Sequence, residues 1–188
     1  QYRTHLFFNA RTGGGGGVPT YQHAALWRNG LLYQDLGVIP GGNFSMAYDI
    51  NDADTVVGYS SNGFATHAFR YQGTTMTDIA PTAAWAVAYA INNMGDIVGT
   101  TSTSANGQPG RAFLYRDNQL VDLNTLIPAG SGWVLTDATD INDQGQITGI
   151  GTLNGQRRIY RLDLPSHGLL QRYGPELHYD TQEAYRAD

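Results

Sequence analysis

The feature that most constrains this chain is an internal repeat. Asp49-Ile50-Asn51-Asp52 returns as Ala90-Ile91-Asn92-Asn93 and again as Asp140-Ile141-Asn142-Asp143, with the asparagines 41 and 50 residues apart. A period in this range marks an array of supersecondary units, because one unit cannot bury its own apolar faces and must stack on a neighbour.

Each copy runs through a turn into a β-branched segment that ends in glycine: Thr55-Val56-Val57-Gly58, Asp96-Ile97-Val98-Gly99 and Gln146-Ile147-Thr148-Gly149. These segments read as hairpins. Gly95 and Gly145 stand where a type I turn closing into a bulge needs positive φ, and Asp54 takes that place in the first copy. A third strand begins at His23, His67, Arg111 and Gln156, spaced 44, 44 and 45 residues apart. A fourth follows a polar turn at Leu32-Tyr33-Gln34-Asp35-Leu36, Thr75-Met76-Thr77-Asp78-Ile79 and Leu120-Val121-Asp122-Leu123.

Four short strands in a unit of roughly 45 residues match the arithmetic of a β-propeller blade, a four-stranded antiparallel sheet packed face to face with its neighbours. The expected fold is therefore all-β, a propeller-like array. It has two near-complete blades, about Phe44 to Ile79 and Trp85 to Leu126, and a partial blade at each end. The first partial blade lacks its Ile-Asn strand, and the last lacks a clear fourth strand. A segment of a larger ring is the economical reading, since uncovered sheet edges otherwise invite aggregation. Blades are expected over residues 1–164, with 165–188 as a linker or the start of a following domain.

The motifs resemble those of the HAF repeat family, bacterial repeats named for a His-Ala-Phe strand. His67-Ala68-Phe69 is the signature itself, and Ala88-Tyr89-Ala90-Ile91-Asn92 with Gly95 and Val98-Gly99 is similar to its partner strands. The resemblance covers roughly residues 20–162 and implies a secreted or surface-exposed, propeller-like protein. It names no substrate. Arg111 and Gln156 replace the histidine in two copies, so that histidine is not a required chemical group.

Composition removes several function classes. The formal charge of −5, with every basic residue an arginine and most of them scattered singly, leaves no footprint for a phosphate backbone, so nucleic acid is not an expected partner. Without lysine there is no Schiff-base chemistry and no lysine-dependent phosphate loop, so the five glycines Gly13 to Gly17 read as a plain loop. With no cysteine, thiol nucleophiles and thiolate metal sites are excluded. No apolar run reaches the length of a membrane span.

Candidate chemistry is sparse. The two glutamates, Glu176 and Glu183, both follow Pro175, so a carboxylate pair elsewhere would need two aspartates. Asp49, Asp52, Asp140 and Asp143 recur at repeat positions, which favours turn formation and hydrogen bonds to backbone. As hard oxygen ligands they are also weak calcium candidates, and no other cofactor is implied. The five histidines show no zinc spacing, and Ser166-His167 has no identifiable acid. A binding surface would draw on aromatic residues that stack and hydrogen-bond, with Tyr21, Trp27, Tyr59, Trp85 and Trp133 as candidates against the competing role of filling the spaces between blades.

The resulting expectation is a non-catalytic extracellular repeat module that binds a surface glycan or a protein, or spaces adjoining domains. Two alternatives stand beside it: the propeller part of a carbohydrate-active or other hydrolytic enzyme, and a self-assembling protein whose incomplete blades associate.

Overall fold

The computed structural model describes residues 5–8, 22–28 and 31–164. The segment 165–188, Gly13 to Gly17 and Tyr21 lie outside the described residues. The described chain is all-β, with one short 3-10 turn at Leu123–Thr125. No helix among the described residues is long and apolar enough to cross a membrane.

The strands fall into four groups that follow the repeat. The first is β1 (His5–Phe8), β2 (Ala24–Arg28) and β3 (Leu31–Gly37), an antiparallel sheet in that order. The second is β4 (Phe44–Ile50), β5 (Val56–Ser61), β6 (Thr66–Gln72) and β7 (Thr75–Asp78). The third is β8 (Trp85–Ile91), β9 (Ile97–Ser102), β10 (Arg111–Arg116) and β11 (Gln119–Asp122). The last is β12 (Trp133–Ile141), β13 (Gln146–Leu153) and β14 (Gln156–Asp163). Within each group every strand pairs antiparallel with the next in sequence. One parallel bridge, Thr66 with Trp85, joins the second group to the third, and its counterpart, Gln22 with Phe44, joins the first to the second. None of the sheets closes on itself.

Short hairpin turns make each group, and their chemistry is local. Asp54, Gly95 and Gly145 adopt φ of 57°, 87° and 76°, as the turn type requires. In each turn the preceding asparagine clamps the backbone. Asn51 Oδ1 accepts from the N–H of Ala53 and Thr55, Asn92 Oδ1 from Met94 and Asp96, and Asn142 Oδ1 from Gln144 and Gln146. This leaves the side-chain NH2 of each asparagine free of the turn's backbone, although Asn92 and Asn142 also donate to the side chains of Asp96 and Gln146.

For two of the three, that NH2 reaches the next sheet. Asn51 Nδ2 donates to the Asn92 carbonyl at 3.1 Å, and Asn92 Nδ2 donates to the Asn142 carbonyl at 3.1 Å. The following residue repeats the step: the Asp52 N–H donates to Asn93 Oδ1 and the Asn93 N–H to Asp143 Oδ1, at 2.9 and 2.8 Å. Asp49 adds a third tie, its Oδ2 accepting from the Ile91 N–H at 2.8 Å. The repeated Ile-Asn motif is thus a polar ladder running across successive sheets.

Apolar packing follows the same direction. Val57, Ala68 and Ile79 of the second sheet meet Ala88, Ile97 and Phe113 of the third, and Ala90, Val98 and Leu114 on the third sheet's other face meet Leu135, Ile147 and Tyr160 of the last. The period of two sends alternate residues to opposite faces, and a sheet between two neighbours buries both. A buried ion pair interrupts this core: Arg116 grips Asp96 through Nε at 2.7 Å and Nη2 at 2.6 Å, and Asn92 Nδ2 also donates to Asp96 Oδ2.

The glycine that ends each second strand has a steric cause. The first strand of the second, third and last groups carries an extra residue, so its register shifts between Ala47 and Asp49, Ala88 and Ala90, and Ala138 and Asp140. The bulge presses a carbonyl, that of Met46, Val87 or Asp137, onto Gly58, Gly99 or Gly149, where a Cβ would collide with it. The aromatic of the third strand, Phe69, Phe113 or Tyr160, lies opposite the same glycine.

Register also corrects the sequence alignment of the last copy. His67 lies opposite Ser60 and Arg111 opposite Thr101, two residues beyond Gly58 and Gly99; the residue opposite Gly151, two beyond Gly149, is Arg158. Arg158, not Gln156, therefore occupies the signature position, following Gly149 at the same distance at which His67 follows Gly58 and two residues beyond the place given by spacing from Arg111.

Gly99→Ala is expected to destabilise the chain by about 3 kcal/mol, since overpacking against backbone cannot relax by a rotamer change. Gly63→Ala, at an open turn with φ of 89° and no atom near its Cβ direction, is the comparison, with a smaller loss from backbone strain alone. Urea unfolding of both variants measures the difference.

Candidate functional site

The bulges that demand glycine also redirect two tyrosines. Tyr48 and Tyr89 are the extra residues of β4 and β8, and the bulge breaks the alternation that would otherwise assign their side chains to a face. Tyr48 is 45% exposed and lies 5.5 Å, centroid to centroid, from Tyr89 on the next sheet. On its own sheet it meets Tyr59 at 6.0 Å, and Tyr59 meets Phe44 at 5.7 Å. Four rings therefore form a continuous stripe that crosses from the second sheet to the third. All the pairs are tilted, a geometry that favours edge and offset contacts.

Beyond Tyr89 the stripe becomes polar. The Thr100 hydroxyl lies beside Tyr89 and partly offsets the rise in its pKa. Thr100 Oγ1 donates to Asp137 Oδ1 at 2.9 Å, and Thr136 Oγ1 donates to Asp137 Oδ2 at 2.8 Å. The Tyr160 hydroxyl donates to the Asp137 carbonyl at 2.9 Å, which fixes this corner of the last sheet. The result is an apolar platform that ends at a polar cluster in which Thr100 is buried and Thr136 and Asp137 are half-buried.

Electrostatics keep these phenols neutral. Burial raises the pKa of Tyr48 and of Tyr59, with Tyr48 adding to the effect on Tyr59. Tyr89 is pushed up to about 12, chiefly by burial and then by the negative charge of Asp137 and by Tyr48. Burial and Asp137 also raise Tyr160. A phenol held protonated donates and accepts hydrogen bonds but does not serve as a nucleophile at neutral pH.

Of the five aromatics singled out from sequence, Tyr21 lies outside the described residues, and of the other four Tyr59 belongs to this stripe. Trp27 sits in β2, its ring nitrogen buried without a hydrogen-bond partner among the described residues. Trp85 opens β8 and packs against the turn at Gly107, whose Cβ direction points into the indole at 3.1 Å. Trp133 opens β12 and meets Tyr160 edge-on at 6.4 Å beside Ile127 and Pro128. Trp85 and Trp133 are thus packing residues at equivalent ends of their sheets. Phe44, Tyr48 and Tyr89 carry the stripe, and only the bulge signal, an aromatic just before the Ile-Asn motif in two copies, marks them in the sequence.

The four aspartates named as calcium candidates are engaged in the ladder. Asp49 accepts from the N–H groups of Ile50 and Ile91, Asp140 from that of Ile141, Asp52 from Asn93 Nδ2, and Asp143 from the Asn93 backbone and side chain. Burial raises the pKa of Asp49, while its two backbone hydrogen bonds pull the other way. Among the described residues no three His, Cys, Asp or Glu side chains converge on a point that could hold a metal ion.

The signature histidines also have partners. His23 Nδ1 lies 3.0 Å from Asp35, His67 Nδ1 3.0 Å from Asp78, and Arg111 Nε 2.5 Å from Asp122, each joining the start of a third strand to the end of a fourth. Histidine and arginine exchange freely here because either can face the same carboxylate.

The sign of the Tyr89 shift sets a pH dependence. A pKa above the usual value near 10 means that the fold favours the protonated phenol, so its contribution is complete below pH 10 and is lost as pH rises through 12. Stability is expected to fall over that interval, and Tyr89→Phe to flatten part of the fall. Denaturant titrations at stepped alkaline pH, with phenolate absorbance recorded in parallel, measure it.

No curated protein matches the chain. A family model described as "Protein of unknown function (DUF3466)" matches residues 43–163, which span the second, third and last sheets. That match takes in most of the chain and the whole of the ladder and the aromatic stripe, and by it the chain belongs to the DUF3466 family.

Proposed function

We propose that this chain is a non-catalytic β-propeller module that binds a partner through the aromatic stripe, with a surface glycan as the favoured ligand, and that it acts outside the cell. The observation that carries the reading is the stripe of Phe44, Tyr59, Tyr48 and Tyr89, whose most exposed member sits between rings of two sheets. Tyrosine faces stack on the apolar face of a sugar ring, and the half-buried carboxylate of Asp137 at the end of the stripe is an acceptor for sugar hydroxyls.

Three features support the propeller part of the proposal. Successive sheets are alike in strand order, they bury both faces against their neighbours, and the ladder advances by one sheet at each step. The binding part is supported by what the polar residues do. Aspartates, asparagines and signature histidines serve the repeat in equivalent roles in successive sheets, whereas the stripe is confined to the second and third sheets. The extracellular placement follows the resemblance to HAF repeats.

Glycan-array and pull-down screens of the full chain test this. A specific ligand is expected, with affinity falling at least tenfold in Tyr48→Ala, and less in Trp85→Phe as a control away from the stripe. A folded chain that binds nothing, or binding indifferent to Tyr48→Ala, contradicts the reading.

A further inference from the structure

The ladder has a direction, so its two ends are chemically different. At each internal step one turn gives an asparagine NH2 and a backbone N–H, and the next turn receives them on an asparagine carbonyl and a side-chain oxygen. The Asn92 carbonyl accepts from Gly95 N and from Asn51, and the Asn142 carbonyl from Gly145 N and from Asn92. The Asn51 carbonyl accepts from Asp54 N and, among the described residues, from nothing else. Asn93 Oδ1 and Asp143 Oδ1 each take a backbone N–H, while the equivalent Asp52 Oδ1 takes none among the described residues. Among the described residues the receiving end of the ladder is open at the Asn51 carbonyl and Asp52 Oδ1.

Beside it is a strand edge. In the second and third sheets the strand carrying the Ile-Asn motif pairs with the strand that follows it, β4 with β5 and β8 with β9. In the first sheet, β1 has the position of β5 and β9, since it pairs with the third-strand equivalent β2. Among the described residues nothing pairs with its other edge, and β1 lies against β4, whose end carries the open turn. One element not found among the described residues would satisfy both: an inner strand for the first sheet.

We propose that this edge and turn form a docking site for a donated β-strand bearing the Ile-Asn-Asp or Ile-Asn-Asn motif. The strand pairs along β1 by backbone hydrogen bonds, a mode in which the ladder supplies affinity and side chains supply selectivity. Its asparagine NH2 meets the Asn51 carbonyl, and the N–H of its next residue meets Asp52 Oδ1, reproducing the contacts seen twice inside the molecule. At the opposite end of the ladder Asn142 Nδ2 already donates to Gln146 Oε1 of its own turn, and the motif strand β12 is present, so that end is the poorer site. The inference builds on the propeller reading and names a partner for a different surface from the aromatic stripe.

The test uses the full chain and a synthetic peptide copying residues 133–145, Trp-Val-Leu-Thr-Asp-Ala-Thr-Asp-Ile-Asn-Asp-Gln-Gly. Saturable binding is expected, with hydrogen-exchange protection at residues 5–8 and 50–52. The same peptide with Asn142→Ala is expected to bind at least tenfold more weakly, a comparison that leaves the folded chain unaltered. Asp52→Ala in the chain is expected to weaken binding as well, with circular dichroism confirming its fold. Three results would overturn the proposal: no binding to a folded chain, equal binding of both peptides, or protection confined to residues 140–143. A chain that dimerises through Asp52 without competition from the peptide would also overturn it, in favour of a second copy. Loss of glycan binding in Tyr48→Ala with peptide binding intact separates this site from the stripe.

Discussion

The structure depends on one small group, the asparagine side chain that ends the first strand of each complete repeat. Its oxygen closes the local hairpin by taking two backbone N–H groups, and its nitrogen, at Asn51 and Asn92, leaves the hairpin and ties the next sheet. An amide is suited to this because it carries an acceptor and a donor on one rigid plane. Serine could cap the turn but lacks the reach, and aspartate could cap it but has nothing to donate. Local and long-range structure are therefore coupled through one residue, which accounts for its recurrence at fixed places in the repeat.

From that coupling the remaining constraints follow in order. Sheets tied at one end must pack face to face, so strands between neighbours are apolar on both sides, as in β9, where Ile97, Val98 and Gly99 are all buried. The ladder strand must also bulge to bring its turn into register, which forces glycine at positions 58, 99 and 149 and moves Tyr48 and Tyr89 out of alternation. The surface proposed for ligand binding is in this sense a by-product of the device that joins the sheets. The Arg116 and Asp96 pair belongs to the same logic: Asp96 receives Asn92 Nδ2 alongside the guanidinium, so the buried charge is fixed against the ladder. Such a pair contributes geometry more than stability.

Much of this was legible in the sequence because the repeat exposes it. Strand number and order, the turns with positive φ at Asp54, Gly95 and Gly145, and the structural use of the recurring aspartates can be read from spacing and residue type. The stripe could not be read the same way. Alternation assigns each strand residue to a face, and one extra residue at Tyr48 or Tyr89 reverses the assignment beyond it without leaving a mark in composition. Large aromatics drew attention to Trp85 and Trp133 instead, which pack at the sheet ends. Spacing also misplaced the last signature position by two residues, since hairpin length varies where register does not. The inter-sheet role of Asn51 was hidden for another reason: a side chain that caps its own turn already has a sufficient local explanation.

The most direct measurement is the stability of Asn51→Asp. The substitution keeps Oδ1 for the N–H groups of Ala53 and Thr55 and replaces the donor that reaches the Asn92 carbonyl by a charged oxygen that cannot donate. If the amide ties the sheets, urea unfolding should show a loss of about 2 kcal/mol, with faster hydrogen exchange around Ile91 and Asn92 on the neighbouring sheet. Stability within about 0.5 kcal/mol of the parent chain, with exchange at those residues unchanged, would contradict the account.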